Sequence, residues 1–321
     1  MADKKEMNMR MWAMMAVGMA TVSLFGYPQQ YLAETYTVEQ RSALIKELWA
    51  HDPAADHKVW PEGKVPMQKS DRPMRNMEHE LWQRNLVVTD INVPTFTFFP
   101  AKGVEKAPVV VILPGGGYFQ LGWNKEGTEI ADWLNANGIA AAVLLYRAPS
   151  QRDAALCDTQ RTIRILRARA EEFHINPAKI GVIGFSAGAN LAVRCATNWR
   201  TSLYEPIDET DKLSARPDFQ IIVYPWDLCP RNLRKDHLPL GLKPDYPVDR
   251  QTPPAFIIQA QDDFCMIETS LAYYMALRDQ NIPSELHVYP FGGHGYGLRK
   301  LGQPVDDWSD LAARWIKAVC R

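Results

Sequence analysis

An excess of one charge is missing from this chain: 36 Lys and Arg stand against 37 Asp and Glu over 321 residues, a net charge of −1. No basic stripe or run of like charges breaks the balance, so the electrostatic footprint of a nucleic-acid binder is absent and no nucleic-acid partner is expected. Cysteine is scarce, five in all, too few and too scattered for a disulfide scaffold or a CxxC metal array. The seven histidines form no H-E-x-x-H pair, so no metal and no other cofactor is expected. There is no internal repeat and no low-complexity segment. Long hydrophobic runs are also lacking: the uncharged stretch 11–26 is short for a membrane span. With Lys4, Lys5 and Arg10 before it, that stretch suits a secretory h-region instead. Residues 1–26 are therefore expected to be a signal peptide, cut after Ala20 or Gly26, with an uncleaved anchor as the alternative. The expected location is periplasmic or secreted, without stable membrane association after cleavage.

What is present is enough apolar material for one large domain. Hydrophobic residues make up 46% of the chain and include ten tryptophans. Residues 27–85 read as an N-terminal elaboration, with helical spacing over 37–49 behind a Thr37 cap. From residue 86 two strand-like runs, 86–94 and 95–100, lead into alternating strands and helices, up to residue 321. That alternation predicts an α/β fold with a mostly parallel central sheet and helices on both faces. Residues 227–251 form a Pro- and charge-rich excursion, either a cap over a site or a solvated loop.

Gly184-Phe185-Ser186-Ala187-Gly188 lies between the apolar run 179–183 and the helix-like run 189–196. A serine at the tip of a tight strand-to-helix turn, with glycines where side chains would strike the neighbouring strand and helix, is a nucleophile elbow. Ser186 is the candidate nucleophile. A serine hydroxyl needs a base, a group that orients the base, and donors for an oxyanion. The strand-like run 253–260 ends at Asp262-Asp263, and the run 284–290 opens into a glycine-rich loop bearing His294. The order Ser, Asp, His along the chain is that of α/β-hydrolases. The strand-like run 108–113 leads into Pro114-Gly115-Gly116-Gly117-Tyr118, whose backbone N–H groups are open to an acyl oxygen. The oxyanion donors are assigned to Gly116, Gly117 and Ala187. Tyr118, Trp123 and Trp226 are the candidate substrate contacts, the two tryptophans as stacking platforms or else as core.

Taken together, Pro114 to Tyr118, Glu126-Gly127, Tyr146-Arg147, Asp158-Thr159-Gln160-Arg161, the elbow, Thr252-Pro253-Pro254, Asp262-Asp263 and Gly292-Gly293-His294-Gly295-Tyr296-Gly297-Leu298 resemble the acetyl xylan esterase-like carbohydrate esterases of the α/β-hydrolase superfamily, relatives of the hormone-sensitive-lipase-like esterases. The resemblance runs from about Trp60-Pro61 to the C-terminus. It implies an α/β-hydrolase fold and removal of short acyl groups, most often acetyl, from a plant polysaccharide or its oligosaccharides. A general short-chain carboxylesterase, a peptidase and a non-catalytic binding protein on the same scaffold are the alternatives. The resemblance also selects Asp263, three residues after Ala260, as the acid, and leaves Asp262 to the loop backbone. Phe264-Cys265-Met266-Ile267 departs from the group's usual Val-Pro after the acid.

Cys157 and Cys195 fall on helical runs and read as buried apolar residues. Cys229 and Cys265 each follow the C-terminal end of one of two strands that such a fold places side by side. An exported protein would meet oxidant there, so a Cys229–Cys265 disulfide is expected. His287 reads as structural, and His51 and His57 have no partner motif.

Overall fold

The computed structural model describes residues 37–49, 55–69, 75–77, 85–230 and 240–321. The expected signal peptide, His51 and part of the 227–251 excursion lie outside the described residues. Among the described residues no helix is long and apolar enough to cross a membrane.

Two runs without polar alternation, β5 (Ala107–Leu113) and β7 (Ala140–Leu145), lie side by side within the larger sheet. Successive strand residues point to opposite faces, and nearly all of these are buried, so both faces of the sheet are covered. Around them stand β1 (Asp56–Lys58), β4 (Thr95–Phe99), β8 (Ile175–Phe185), β9 (Phe219–Val223), β10 (Ala255–Ala260) and β11 (Ser284–Tyr289), in the order β1-β4-β7-β5-β8-β9-β10-β11. From β7 to β11 every pairing is parallel, whereas β1 and β4 are antiparallel. This is the predicted mostly parallel α/β sheet. Helices α1 (Val38–Leu48), α2 (Glu129–Ala136), α3 (Arg152–Ala168), α4 (Ala187–Thr197), α5 (Glu268–Asp279) and α6 (Trp308–Val319) accompany it. Thr37 caps α1 with a Thr37–Gln40 capping box.

The run 86–94 is not one long strand. It turns at Asp90, whose φ is +55°, and only Val87–Thr89, β3, is extended. β3 pairs with β2 (Arg75–Met77) and β6 (Leu121–Gly122) in a separate antiparallel sheet. Part of the stretch read as an N-terminal elaboration is woven into the main fold. β1 hydrogen-bonds along β4, and buried Trp60 donates from Nε1 to Asp158 Oδ1 at 2.7 Å.

Candidate active site

The turn from β8 into α4 holds Ser186 at φ +54° and ψ −115°, outside the ordinary basins for an L-residue. The strain is maintained by close backbone packing. A Cβ on Gly184 would lie 2.2 Å from Gly188 O, and one on Gly188 would lie 1.9 Å from Leu113 O. Ser186 N–H donates to Val223 O (3.1 Å), and its carbonyl accepts from Asn190 N–H (3.0 Å).

His294 comes from the loop after β11 and Asp263 from the loop after β10, and the structure brings both to Ser186. His294 Nε2 lies 2.8 Å from Ser186 Oγ, and Nδ1 lies 2.9 Å from each oxygen of Asp263. Because a carboxylate can only accept, the proton belongs on Nδ1, leaving the Nε2 lone pair to face the serine hydroxyl. Asp263 is buried and also accepts from Cys265 N–H (2.7 Å) and Gln259 Nε2 (3.1 Å), so its carboxylate is oriented from several sides. Burial works against a charged His294 ring. The Cys265 sulfur and the Asp263 carboxylate favour it and prevail, setting the imidazole well above its usual pKa. Asp262 turns the other way and accepts from Gly293 N–H at 2.7 Å, tying the acid loop to the histidine loop.

The glycine loop after β5 approaches the same serine. A Cβ on Gly115 would lie 2.9 Å from Ser186 Cβ, and one on Gly116, at φ +136°, would lie 2.0 Å from Gln120 O. The Gly116 carbonyl accepts from Phe119 and Gln120 N–H, which folds the loop back on itself. Ala187 opens α4, so its N–H has no intrahelical acceptor. The donors assigned at Gly116, Gly117 and Ala187 therefore belong to two backbone segments that meet at Ser186.

The predicted substrate contacts divide. Trp226 is half-buried, with the Arg152 guanidinium 4.9 Å from its ring centroid. Tyr118 turns inward: its ring is buried, its hydroxyl donates to Asn190 Oδ1 (3.0 Å), and Arg152 lies 4.9 Å from its centroid. Trp123 is a correction. Its indole is fully buried and packs 4.9 Å from the Trp49 ring, because the residue lies where β6 runs into a π-helical turn (Asn124–Thr128) that faces the core. No sugar can reach it.

The expected Cys229–Cys265 disulfide is also corrected. Both are free thiols. Cys229 packs among Ala272, Leu242 and Met266, whereas Cys265 Sγ points to His294 Nε2 at 3.8 Å.

Three residues near the reaction line were given no role from sequence. Buried Glu126 accepts from Gly115 N–H (2.7 Å) through Oε2 and from Tyr224 OH (2.7 Å) through Oε1. Burial, with Glu126 beside it, pushes the Tyr224 phenol well above its ordinary pKa, so it remains a donor. Tyr224 lies 4.8 Å from the His294 ring and accepts from Gly297 N–H at 3.2 Å. Phe264, 69% exposed, lies 4.7 Å from the His294 ring. Glu126 belongs to the Glu126-Gly127 motif, but its partner Tyr224 lies 98 positions away.

The BD-FAE family model matches residues 97–224, from β4 through the elbow to β9. An acetylxylan esterase of Xylanibacter ruminicola is 32% identical over 241 residues, 69% of this chain and 47% of that protein. An endo-1,4-beta-xylanase B of Butyrivibrio fibrisolvens is 27% identical over 243 residues, 69% of this chain and 38% of that protein. The chain thus spans less than half the length of these curated relatives. The crystal structure of an acetyl ester-xyloside bifunctional hydrolase from Caldicellulosiruptor lactoaceticus superposes with a TM-score of 0.69 at 28% identity, covering 82% of this chain and 96% of that one. Strand order, elbow and these likenesses agree: the chain has the α/β-hydrolase fold, matches the BD-FAE family model over 97–224 and is a homologue of an acetylxylan esterase.

Proposed function

We propose that this protein is a serine carboxylic ester hydrolase that removes short acyl groups, acetyl first among them, from plant polysaccharides or oligosaccharides such as xylan or pectin. The observation that carries this reading is the hydrogen-bonded line from Ser186 through His294 to Asp263, set beside the glycine loop and the first residue of α4. His294 Nε2 takes the Ser186 proton as Oγ attacks the ester carbonyl. The negative oxygen settles on the N–H groups of Gly116, Gly117 and Ala187. Asp263 keeps the imidazole in its Nδ1–H form and stabilises the imidazolium, which then protonates the departing sugar hydroxyl. Water, activated by the same Nε2, hydrolyses the acyl-enzyme. Half-buried Trp226 and exposed Phe264 offer ring faces for a sugar beside this line. The kinship to a xylan-directed relative supports a glycan ester as substrate, and export to the periplasm or beyond accords with a polymer that cannot enter a cell.

The test is acetate release from acetylated xylan and acetylated pectin, with Ser186→Ala as control. Release by the wild type alone is expected, together with a steep fall in kcat/KM from acetyl to octanoyl p-nitrophenyl esters, because an acyl group that does not fit loses its attack geometry. Comparable turnover of both esters without acetate release would favour a general esterase.

A further inference from the structure

Cys265 has no part in the ester mechanism, yet its sulfur lies 3.8 Å from His294 Nε2, the nitrogen that must act as base. A tetrahedral zinc ion with bonds of about 2.0–2.1 Å to nitrogen and 2.3 Å to sulfur would hold those two atoms about 3.6 Å apart. The observed separation is within a few tenths of that bite. On the far side of the ring, Asp263 grips Nδ1 at 2.9 Å, the carboxylate–histidine arrangement that orients a metal-bound imidazole and raises its basicity. Ser186 Oγ, 2.8 Å from Nε2, supplies an oxygen at the same point. Among the described residues, Asp263, Cys265 and His294 bring potential ligand atoms within 4.8 Å of one another.

We propose that His294 Nε2 and Cys265 Sγ form a site for a thiophilic divalent cation such as Zn2+, and that its occupation switches the triad off. The binding stands on the geometry of these residues, while the inhibition rests on the ester-hydrolase reading. On binding, the Nε2 lone pair and the sulfur form bonds to the metal, the thiol releases one proton to solvent, and no electron changes hands. Ser186 then has no base. An ion on Nε2 holds the lone pair that must accept the Ser186 proton, so metal binding and turnover exclude each other. The sulfur comes from Cys265, which is no member of the triad, so the site is not a property of the triad alone.

The test uses tag-free protein in a non-chelating buffer, with Co2+ as spectroscopic probe and Zn2+ as competitor. A thiolate-to-cobalt absorption band that Zn2+ abolishes is expected in the wild type, in Cys229→Ala and in Ser186→Ala. It should vanish in Cys265→Ala and in Cys265→Ser, the latter preserving the shape of the side chain. In parallel, Zn2+ should inhibit wild-type p-nitrophenyl acetate turnover at concentrations at least about tenfold below those needed for the Cys265 variants. A band that survives in both variants, or no band in the wild type, overturns the site. Equal inhibition of wild type and variants overturns the switch. The cobalt arm needs no turnover, so failure of the metal site and failure of the esterase reading remain separate results.

Discussion

Asp262 and Asp263 are adjacent in sequence, yet they face opposite ways, one to Gly293 N–H and the other to His294 Nδ1. Their substitutions should therefore differ sharply. Ser186→Ala and His294→Ala should each cut kcat by about 10⁴- to 10⁶-fold, with the double variant little worse than either, because the groups act as a unit. Asp263→Asn should lose about 10⁴-fold, whereas Asp262→Asn should lose less than about tenfold, as Asp262 accepts from the Gly293 backbone and not from the His294 ring. Steady-state kinetics on p-nitrophenyl acetate measures all five variants, and a larger loss at Asp262 would reverse the two roles. The raised pKa of His294 has a sign that can be checked. The ring must be neutral to accept the serine proton, and a raised pKa keeps it protonated to higher pH. The acid limb of kcat/KM should therefore lie above 6.5 and move down in Asp263→Asn, where one of the interactions favouring the imidazolium is gone. A limb at or below 6.5 in the wild type would contradict this account.

At the scale of elements, the glycine loop after β5 and the histidine loop after β11 are joined through one buried carboxylate. Glu126 holds Gly115 N–H directly and reaches Gly297 through the Tyr224 hydroxyl. In Glu126→Gln one of the two donors would face an amide NH2 instead of an oxygen. An unsatisfied buried donor costs about 1–3 kcal/mol, so kcat should fall by about 10- to 100-fold with KM little changed. Kinetics alongside a thermal melt separates that outcome from simple unfolding. This bridge also marks the limit of what could be read from sequence. The elbow was legible because its strand, glycines and helix are contiguous, and the parallel sheet because β5 and β7 are uninterrupted apolar runs. The choice of Asp263 came from a resemblance. Glu126 and Tyr224 meet across 98 positions and Cys265 and His294 across 29, and no local period encodes such contacts. Trp123 misled for a related reason: loop position says nothing about which way an indole turns, and the π-helical turn points it inward.

At the scale of the whole molecule, Trp60 and Pro66, which precede β4, are held to the fold by a buried ion pair. Arg147 and Asp158 are both fully buried, with Arg147 Nη2 to Asp158 Oδ1 at 2.7 Å, and Trp60 Nε1 donates to the same oxygen. Burial pushes the Asp158 carboxyl up, and the Arg147 guanidinium holds it back. Asp158→Ala leaves an uncompensated buried guanidinium and should cost about 3–5 kcal/mol in urea unfolding, with turnover per folded molecule preserved. A loss under about 1 kcal/mol would mean that water reaches the pair. The reacting groups, for their part, hang from supports of unequal depth. Ser186 follows β8, which has β5 and β9 on either side, while His294 follows β11, which among the described residues stands at the edge of the sheet beside β10 alone. The nucleophile thus belongs to the part of the protein that should breathe least and the base to a part that opens more readily. Amide exchange read by mass spectrometry should show peptide 284–289 taking up deuterium well ahead of 180–185. On warming, the proton relay would then come apart while the serine turn is still folded, and turnover would fade at temperatures where the bulk of the sheet remains intact.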